Sequence, residues 1–270
     1  MIMFKKILNN LKRPHKIPFK IVSKVKLYLK KKKYNKNFYE DRQNKIFKTI
    51  NLDRNIGLKK LLEIKNKYKF LRRDMSSEHE VLFSSISSNP QLKVNKILEI
   101  GTFDGANAFL LSLLFKDATI ETIDLKKNNI DFIKFYNREN KIEQFISSRD
   151  EILAKSKNII FKELNSIKLS TADQKYDLIW IDGAHGYPMV CIDILNSFKL
   201  INDNGIVMCD DIFINEVSSD KMYQSSAAFE TLTNLKNENL INFNLFYKRL
   251  DANYNCDENI RQFIAFFKKV

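Results

Sequence analysis

The feature that limits this chain most is an alternation that begins near residue 94. Apolar runs of strand length at 95–101 (NKILEIG), 119–125 (TIETIDL), 158–164 (NIIFKEL), 176–183 (YDLIWIDG) and 204–211 (NGIVMCDD) are separated by longer stretches. Those stretches, ANAFLLSLLFK, IDFIKFYNRENKIEQFISSRDEILAKS and YPMVCIDILNSFKLI, are each long enough for a helix. Strands that are apolar on both faces need cover on both faces, so the alternation predicts an α/β fold with a parallel sheet between helical layers. The tail breaks the pattern: 241–250 (INFNLFYKRL) and 261–270 (RQFIAFFKKV) read as two strands joined by a polar loop, an antiparallel hairpin on the sheet's edge. With 270 residues and 44% hydrophobic content, the chain can bury one good core, as a single large domain or a domain with an appendage.

Ligands of such sheets sit outside the carboxyl ends of the strands, and those ends hold the unusual residues. The first strand runs into Glu99-Ile100-Gly101-Thr102-Phe103-Asp104-Gly105, the second ends at Asp124, the fourth at Asp182 and the fifth at Asp210-Asp211. Four acidic strand ends on one rim are hard to explain as packing. Gly101 and Gly105 bracket a tight turn where a missing Cβ lets a ligand approach the backbone, but the spacing is GxxxG rather than the GxGxxG of a dinucleotide site. Asp124 lies 23 residues after Gly101, where a carboxylate can accept both hydroxyls of a ribose. A nucleoside without phosphates fits this pattern better than a dinucleotide. Asp182 and Asp210 also have a plainer reading, as caps that accept backbone N–H bonds of the segments after them.

EIGTFDG and IDL resemble the first motif and the ribose-binding acid of class I S-adenosylmethionine-dependent methyltransferases, over roughly residues 75–270. The resemblance implies a Rossmann-like, doubly wound, seven-stranded sheet, mostly parallel and closed by a C-terminal antiparallel hairpin. It also implies S-adenosylmethionine as cofactor, with Glu99, Gly101, Thr102, Phe103, Asp104 and Gly105 around its methionyl part. Asp124 and Leu125 would hold the ribose, Asn165 and Ser166 would lie near the adenine, and Asp182 would border the cofactor. IDGAHGYPMVCIDI followed by NGIVMCDDIF resembles more narrowly the metal-dependent sugar O-methyltransferases (methyltransferase family 24, like the macrolide and aminocoumarin sugar enzymes). In that subgroup Asp182, Asp210 and Asp211 would bind a divalent cation, Mg²⁺ being expected, and His185, three residues after Asp182, would join Asp182 at the catalytic centre as general base. Three converging carboxylates repel one another unless a cation neutralises them, and all-oxygen ligation suits a hard cation. Tyr187 and Asp193 match the pattern too, but the sequence assigns neither a role; His79 reads as a surface residue or as one that covers the cofactor, and 215–232 as a lid over the acceptor.

The formal net charge is +14, yet residues 1–80 hold 24 Lys and Arg against 7 Asp and Glu, and the rest 22 against 25. All of the basic excess therefore belongs to the N-terminal third, which divides the chain into a basic extension at 1–75, helical or partly disordered, and a methyltransferase domain at 76–270. Lysines interleaved with apolar clusters suit peripheral contact between residues 1–40 and an anionic membrane. The tract has no base-reading or stacking motif, which argues against nucleic acid. Cys191, Cys209 and Cys256 fit neither a metal pattern nor a disulfide framework and read as reduced thiols. The opening segment lacks the apolar core of a secretory signal, so a cytoplasmic location is expected. The function expected is methylation of a sugar hydroxyl on a nucleotide-linked sugar or surface-glycan precursor, by a monomer or homo-oligomer. Rival readings are a phenol-type or RNA methyltransferase, and a non-catalytic binding protein on a degenerate methyltransferase fold.

Overall fold

The computed structural model describes residues 17–71, 77–134, 141–216, 225–251 and 256–270, with side chains from residue 24 onward. Seven strands form one sheet: β1 (Lys96–Ile100), β2 (Thr119–Asp124), β3 (Ile159–Glu163), β4 (Tyr176–Ile181), β5 (Ile201–Ile212), β6 (Ile241–Tyr247) and β7 (Phe263–Lys269). Their order is β3-β2-β1-β4-β5-β7-β6. The first five pair in parallel, and β7 runs antiparallel to both β5 and β6. The hairpin of the sequence is present, but its second strand inserts against β5 and leaves β6 at the edge.

Alternation along each strand decides which layer a side chain enters. Ile97, Leu178, Trp180, Ile206, Met208 and Phe266 face one core, whereas Leu98, Ile179, Ile181, Val207, Cys209 and Phe267 face the other. Burying each of these is worth roughly 1.5–3 kcal/mol, so a one-residue slip of any central strand would expose several apolar groups at once. The first core is roofed by α4 (Glu78–Ile86) and α5 (Ala106–Leu114), the second by α8 (Met189–Leu200) and α9 (Ala227–Asn237). Among the described residues between β2 and β3 lie α6 (Ile130–Lys134) and α7 (Ile142–Leu153). β5 starts three residues earlier than the apolar run, at Ile201, with the exposed Asp203-Asn204 forming an irregularity against β4.

The basic N-terminal third is helical where it is described: α1 (Ile17–Lys33), α2 (Lys36–Thr49) and α3 (Arg54–Lys67). Asn35 and Asp53 start α2 and α3 by accepting backbone N–H bonds from Phe38 and from Asn55 and Ile56. α2 buries Tyr39, Gln43 and Phe47, four residues apart on one helical face, and Phe47 meets Phe246 of β6 edge-on at 5.1 Å. Leu61 of α3 joins the same core. In α1, by contrast, Val25, Leu27, Tyr28 and Leu29 are exposed. Among the described residues no helix is long and apolar enough to cross a membrane. Residues 1–16 of the basic arm, and 217–224 of the expected lid, lie outside the described residues.

Candidate active site

The strand order reverses between β1 and β4, and a crevice opens where strands on either side of such a switch point diverge. Here it is a cavity of about 230 Å³, lined by Gly101, Phe103, Asp124, Leu125, Asn165, Ser166 and Asp182 among the expected cofactor residues. Ile100, Ile123, Asp131, Phe132, Leu164, Gly183, Ala184, Met189 and Asp193 complete the wall. Gly101 has φ of 101°, and a Cβ there would stand 2.2 Å from the carbonyl oxygen of Asp182. The turns after β1 and β4 therefore touch back to back, which only glycine permits. Asp124 is oriented by the main chain: one carboxylate oxygen accepts the Phe103 N–H at 3.0 Å and the other the Leu125 N–H at 2.8 Å. Phe103 itself has a positive φ of 50° and leans on Phe145 of α7, giving the mouth an aromatic edge. Asn165 accepts the Ile167 N–H at 3.0 Å and so fixes the turn at the far wall.

Four residues assigned to the cofactor from sequence do not reach this wall. Glu99 is fully buried behind it, accepting hydrogen bonds from Asn107 at 2.7 Å and Thr122 at 2.5 Å. Burial raises its carboxyl pKa to about 7, against the lowering effect of those two donors. Thr102 is buried and shares a 2.7 Å hydrogen bond with Thr122. Asp104 accepts the Ala106 N–H at the start of α5, and Gly105, at φ of 76°, lets α5 approach Leu153. All four shape the loop rather than line the cavity. Asp193, left without a role by the sequence, does line it. It is buried, its Oδ1 has no partner among the described residues, and burial lifts its pKa to about 6 despite a hydrogen bond from Ser166. His79 is half-buried rather than on the surface, its ring stacked 4.9 Å from that of Trp180.

Beyond Asp182, the end of β5 forms a β-bulge. Cys209 of β5 pairs with Ala265 and Ile212 with Phe263, so Asp210 and Asp211 together oppose a single residue of β7, and Asp211 takes a φ of 52°. Consecutive residues of a regular strand point to opposite faces; the extra residue bends the strand and brings both carboxylates to one group, the Lys248 ammonium. Its Nζ stands 2.7 Å from Asp210 Oδ2 and 2.5 Å from Asp211 Oδ1. Burial alone would pull this lysine's pKa down, but Asp210, Asp211 and Asp182 outweigh it and hold the pKa above the ordinary lysine value. Asp182 is pushed well above the usual carboxylate range by burial and by Asp210 and Asp211, with Lys248 opposing. A third of its side chain is still open, and it borders the cavity. His185 Nε2 lies 3.6 Å from Asp182 Oδ1 and 3.6 Å from Asp211 Oδ2.

The three acids expected to bind Mg²⁺ thus come together, but as placed they do not fit a divalent ion. The Lys248 ammonium already bridges two of them, and no metal-binding group of His, Cys, Asp or Glu is formed among the described residues. Sequence reasoning missed Lys248 altogether. Its only trace was a charge at the end of an otherwise apolar strand, in NLFYKRL.

Residues 98–212 match the family described as "Methyltransferase domain". The chain is similar in fold to the O-methyltransferase TomG from Streptomyces achromogenes, solved with S-adenosylmethionine (14% identity, 85% of this chain and 98% of that one, TM-score 0.51). It is also similar to an O-methyltransferase from Bacillus cereus (15%, 79% and 90%, TM-score 0.50) and to the Podospora anserina methyltransferase PaMTH1 (18%, 78% and 87%, TM-score 0.50), both in complex with SAH. No curated protein matches the sequence. With the matched segment running from β1 to the bulge of β5, residues 98–212 carry a methyltransferase domain on a Rossmann-like sheet.

Proposed function

We propose that this methyltransferase moves the methyl group of S-adenosylmethionine to a sugar hydroxyl, on a nucleotide-linked sugar or a surface-glycan precursor. The observation that carries the reading is the continuity of the crevice: one cavity runs from Asp124 to Asp182, and His185 flanks Asp182. A carboxylate suited to a ribose lines this space, and an imidazole suited to a hydroxyl proton lies next to it, 3.6 Å from the Asp182 carboxylate that borders it. When bound, S-adenosylmethionine supplies a methyl group on a sulfonium that is already a good leaving group. The protein's work is then binding, orientation and proton removal. Asp124 accepts the ribose hydroxyls, its oxygens held by two backbone N–H groups. Phe103, Phe132 and Leu125 cover the nucleoside with apolar surface, and Asp193 offers an acceptor at the inner wall. His185 takes the proton of the acceptor hydroxyl, a step worth on the order of 10²- to 10⁴-fold. Asp182 and Asp211, on its flanks, offset the charge the ring gains.

The basic N-terminal third supports the acceptor class, since a field of lysines draws an anionic diphosphate sugar toward the molecule. It also supports peripheral contact with the anionic inner face of a membrane in a cytoplasmic enzyme. α1 carries Lys24, Lys26 and Lys30–Lys33 around exposed Val25, Tyr28 and Leu29, and each such lysine contributes roughly 1 kcal/mol near an anionic surface.

The test is calorimetric titration with S-adenosylmethionine, followed by transfer of labelled methyl to uridine- and thymidine-diphosphate sugars, catechol and RNA. Label in a sugar nucleotide is the expected result. Label in catechol or RNA replaces the acceptor class, and failure to bind S-adenosylmethionine returns the chain to a binding role on a degenerate fold. Sedimentation with phosphatidylserine but not phosphatidylcholine vesicles, lost when Lys30–Lys33 become serines, checks the membrane contact.

A further inference from the structure

Beside Asp182, at the rim of the crevice, the acidic cluster already holds a cation, and that cation belongs to the chain. Lys248 follows β6 and is 8% exposed. A surface lysine that strays into an acidic patch is held by its tip alone; this one is held along its backbone as well. Its N–H donates to the Gln262 carbonyl at 3.0 Å, and its carbonyl accepts the N–H of Glu78, the first residue of α4, at 2.9 Å. The preceding residue is clamped in turn. Fully buried Gln43 of α2 accepts the Tyr247 N–H at 3.0 Å and donates to the Tyr247 carbonyl at 3.2 Å. Gln43 also donates to Glu78, whose carboxylate takes both Nε and Nη2 of Arg54 of α3, at 2.7 and 2.8 Å. Three helices and the residue that leads into β7 thus fix the main chain from which the ammonium reaches Asp210 and Asp211.

We propose that Lys248 is the resident cation of the acceptor subsite. Its ammonium bridges Asp210 and Asp211 in the charge-balancing place that the sequence pattern gives to a divalent metal, and it positions Asp211 beside His185. A metal drawn to the same oxygens has to displace a buried, hydrogen-bonded lysine, and two cations that close repel each other. Once the ammonium is removed, the buried Asp210 Oδ1, which has no partner among the described residues, and the two released oxygens form an all-oxygen set suited to a hard cation. The consequence for catalysis, methyl transfer without a divalent ion, rests on the O-methyltransferase reading above. The occupancy of the subsite by Lys248 is testable without turnover.

The experiment titrates Mn²⁺ into the full chain and follows the electron paramagnetic resonance of the free ion. Wild type, Lys248→Met, Lys248→Arg and the double variant Lys248→Met/Asp210→Asn are compared, with S-adenosylmethionine calorimetry on each. Wild type and Lys248→Arg are expected to leave the Mn²⁺ signal unbound. Lys248→Met is expected to take up the ion about tenfold or more tightly than wild type, since one positive charge has left a site with little water. Asp210→Asn should abolish that gain. Uptake by wild type that Asp210→Asn removes overturns the proposal. So does a Lys248→Met protein that binds S-adenosylmethionine but gains no Mn²⁺. Should Lys248→Met fail to fold, wild type and Lys248→Arg decide alone: absence of uptake in both upholds the resident cation, and uptake through Asp210 in either refutes it. Loss of S-adenosylmethionine binding in wild type sinks the methyltransfer reading and leaves the Mn²⁺ result to stand separately. In the labelled-acceptor assay, wild-type transfer is expected to survive EDTA.

Discussion

At the β1–β2 end of the crevice a carboxylate, Asp124, is held by two backbone N–H groups beside the apolar Ile123, Leu125 and Phe132. At the β4–β5 end three carboxylates meet a lysine and a histidine of the chain itself. The first arrangement spends little of the protein's stability, because main-chain donors at a turn need partners in any case. The second concentrates charge in a place with little water, so each member depends on the others. Variants should therefore separate: changes at the first end should act on binding, changes at the second on stability.

The largest effect expected is that of Lys248→Ala. Removing one partner of a buried ion pair leaves Asp210 and Asp211 uncompensated, and such losses run to about 3–5 kcal/mol. Urea denaturation in the presence of EDTA should show this fall while S-adenosylmethionine affinity in the surviving folded protein stays near wild type. A comparable fall in affinity would mean that the two ends are one unit. Gly101→Ala is the substitution that should break the separation. Its Cβ meets the Asp182 carbonyl, and its φ of 101° is strained for any other residue. About 2–4 kcal/mol of stability is expected to go, and cofactor affinity with it, by thermal melting and calorimetry on one sample. Asp124→Ala sharpens the comparison from the other side. Affinity for S-adenosylmethionine should drop by about 1.5–3 kcal/mol, the range for hydrogen bonds to a charged group, with little change in the urea midpoint.

The smallest effect concerns Glu99, whose folded pKa of about 7 lies above that of an exposed glutamate. Folding therefore favours its protonated form. That contribution is complete below the ordinary glutamate pKa and is lost as pH rises through about 7. Urea midpoints measured across this window should decline with pH in wild type and decline less in Glu99→Gln; parallel slopes would remove Glu99 as the cause.

The sheet was readable from the sequence because the central strands are apolar on both faces. ILEI, TIETID, LIWI and IVMC left no other way to bury their side chains. The cofactor end was readable for a related reason: a glycine that must be glycine and an acid at the next strand's end are local signals. Tyr39, Gln43 and Phe47 carried a signal that went unread, since their spacing of four marks one buried helical face inside a tract dominated by lysine. Lys248 had none. It lies 37 residues from Asp211 along the chain, and its partners are set by the β6–β7 pairing and by Gln43, more than 200 residues away. Asp193 was obscured in another way, because a charged residue within an amphipathic helix reads as solvated until its neighbours are known.

The extra residue in β5 makes the acidic pair a matter of counting as much as of chemistry. Deleting Cys209 would bring β5 and β7 back into step with both acids kept; in the regular strand that results, one acid would turn to each side of the sheet. Two chains can therefore share an Asp-Asp at this strand and yet differ in what their rims can hold, one gripping a cation between two carboxylates and the other offering one carboxylate and burying the second. A single insertion or deletion, with no change of residue type, would be enough to convert one kind of subsite into the other.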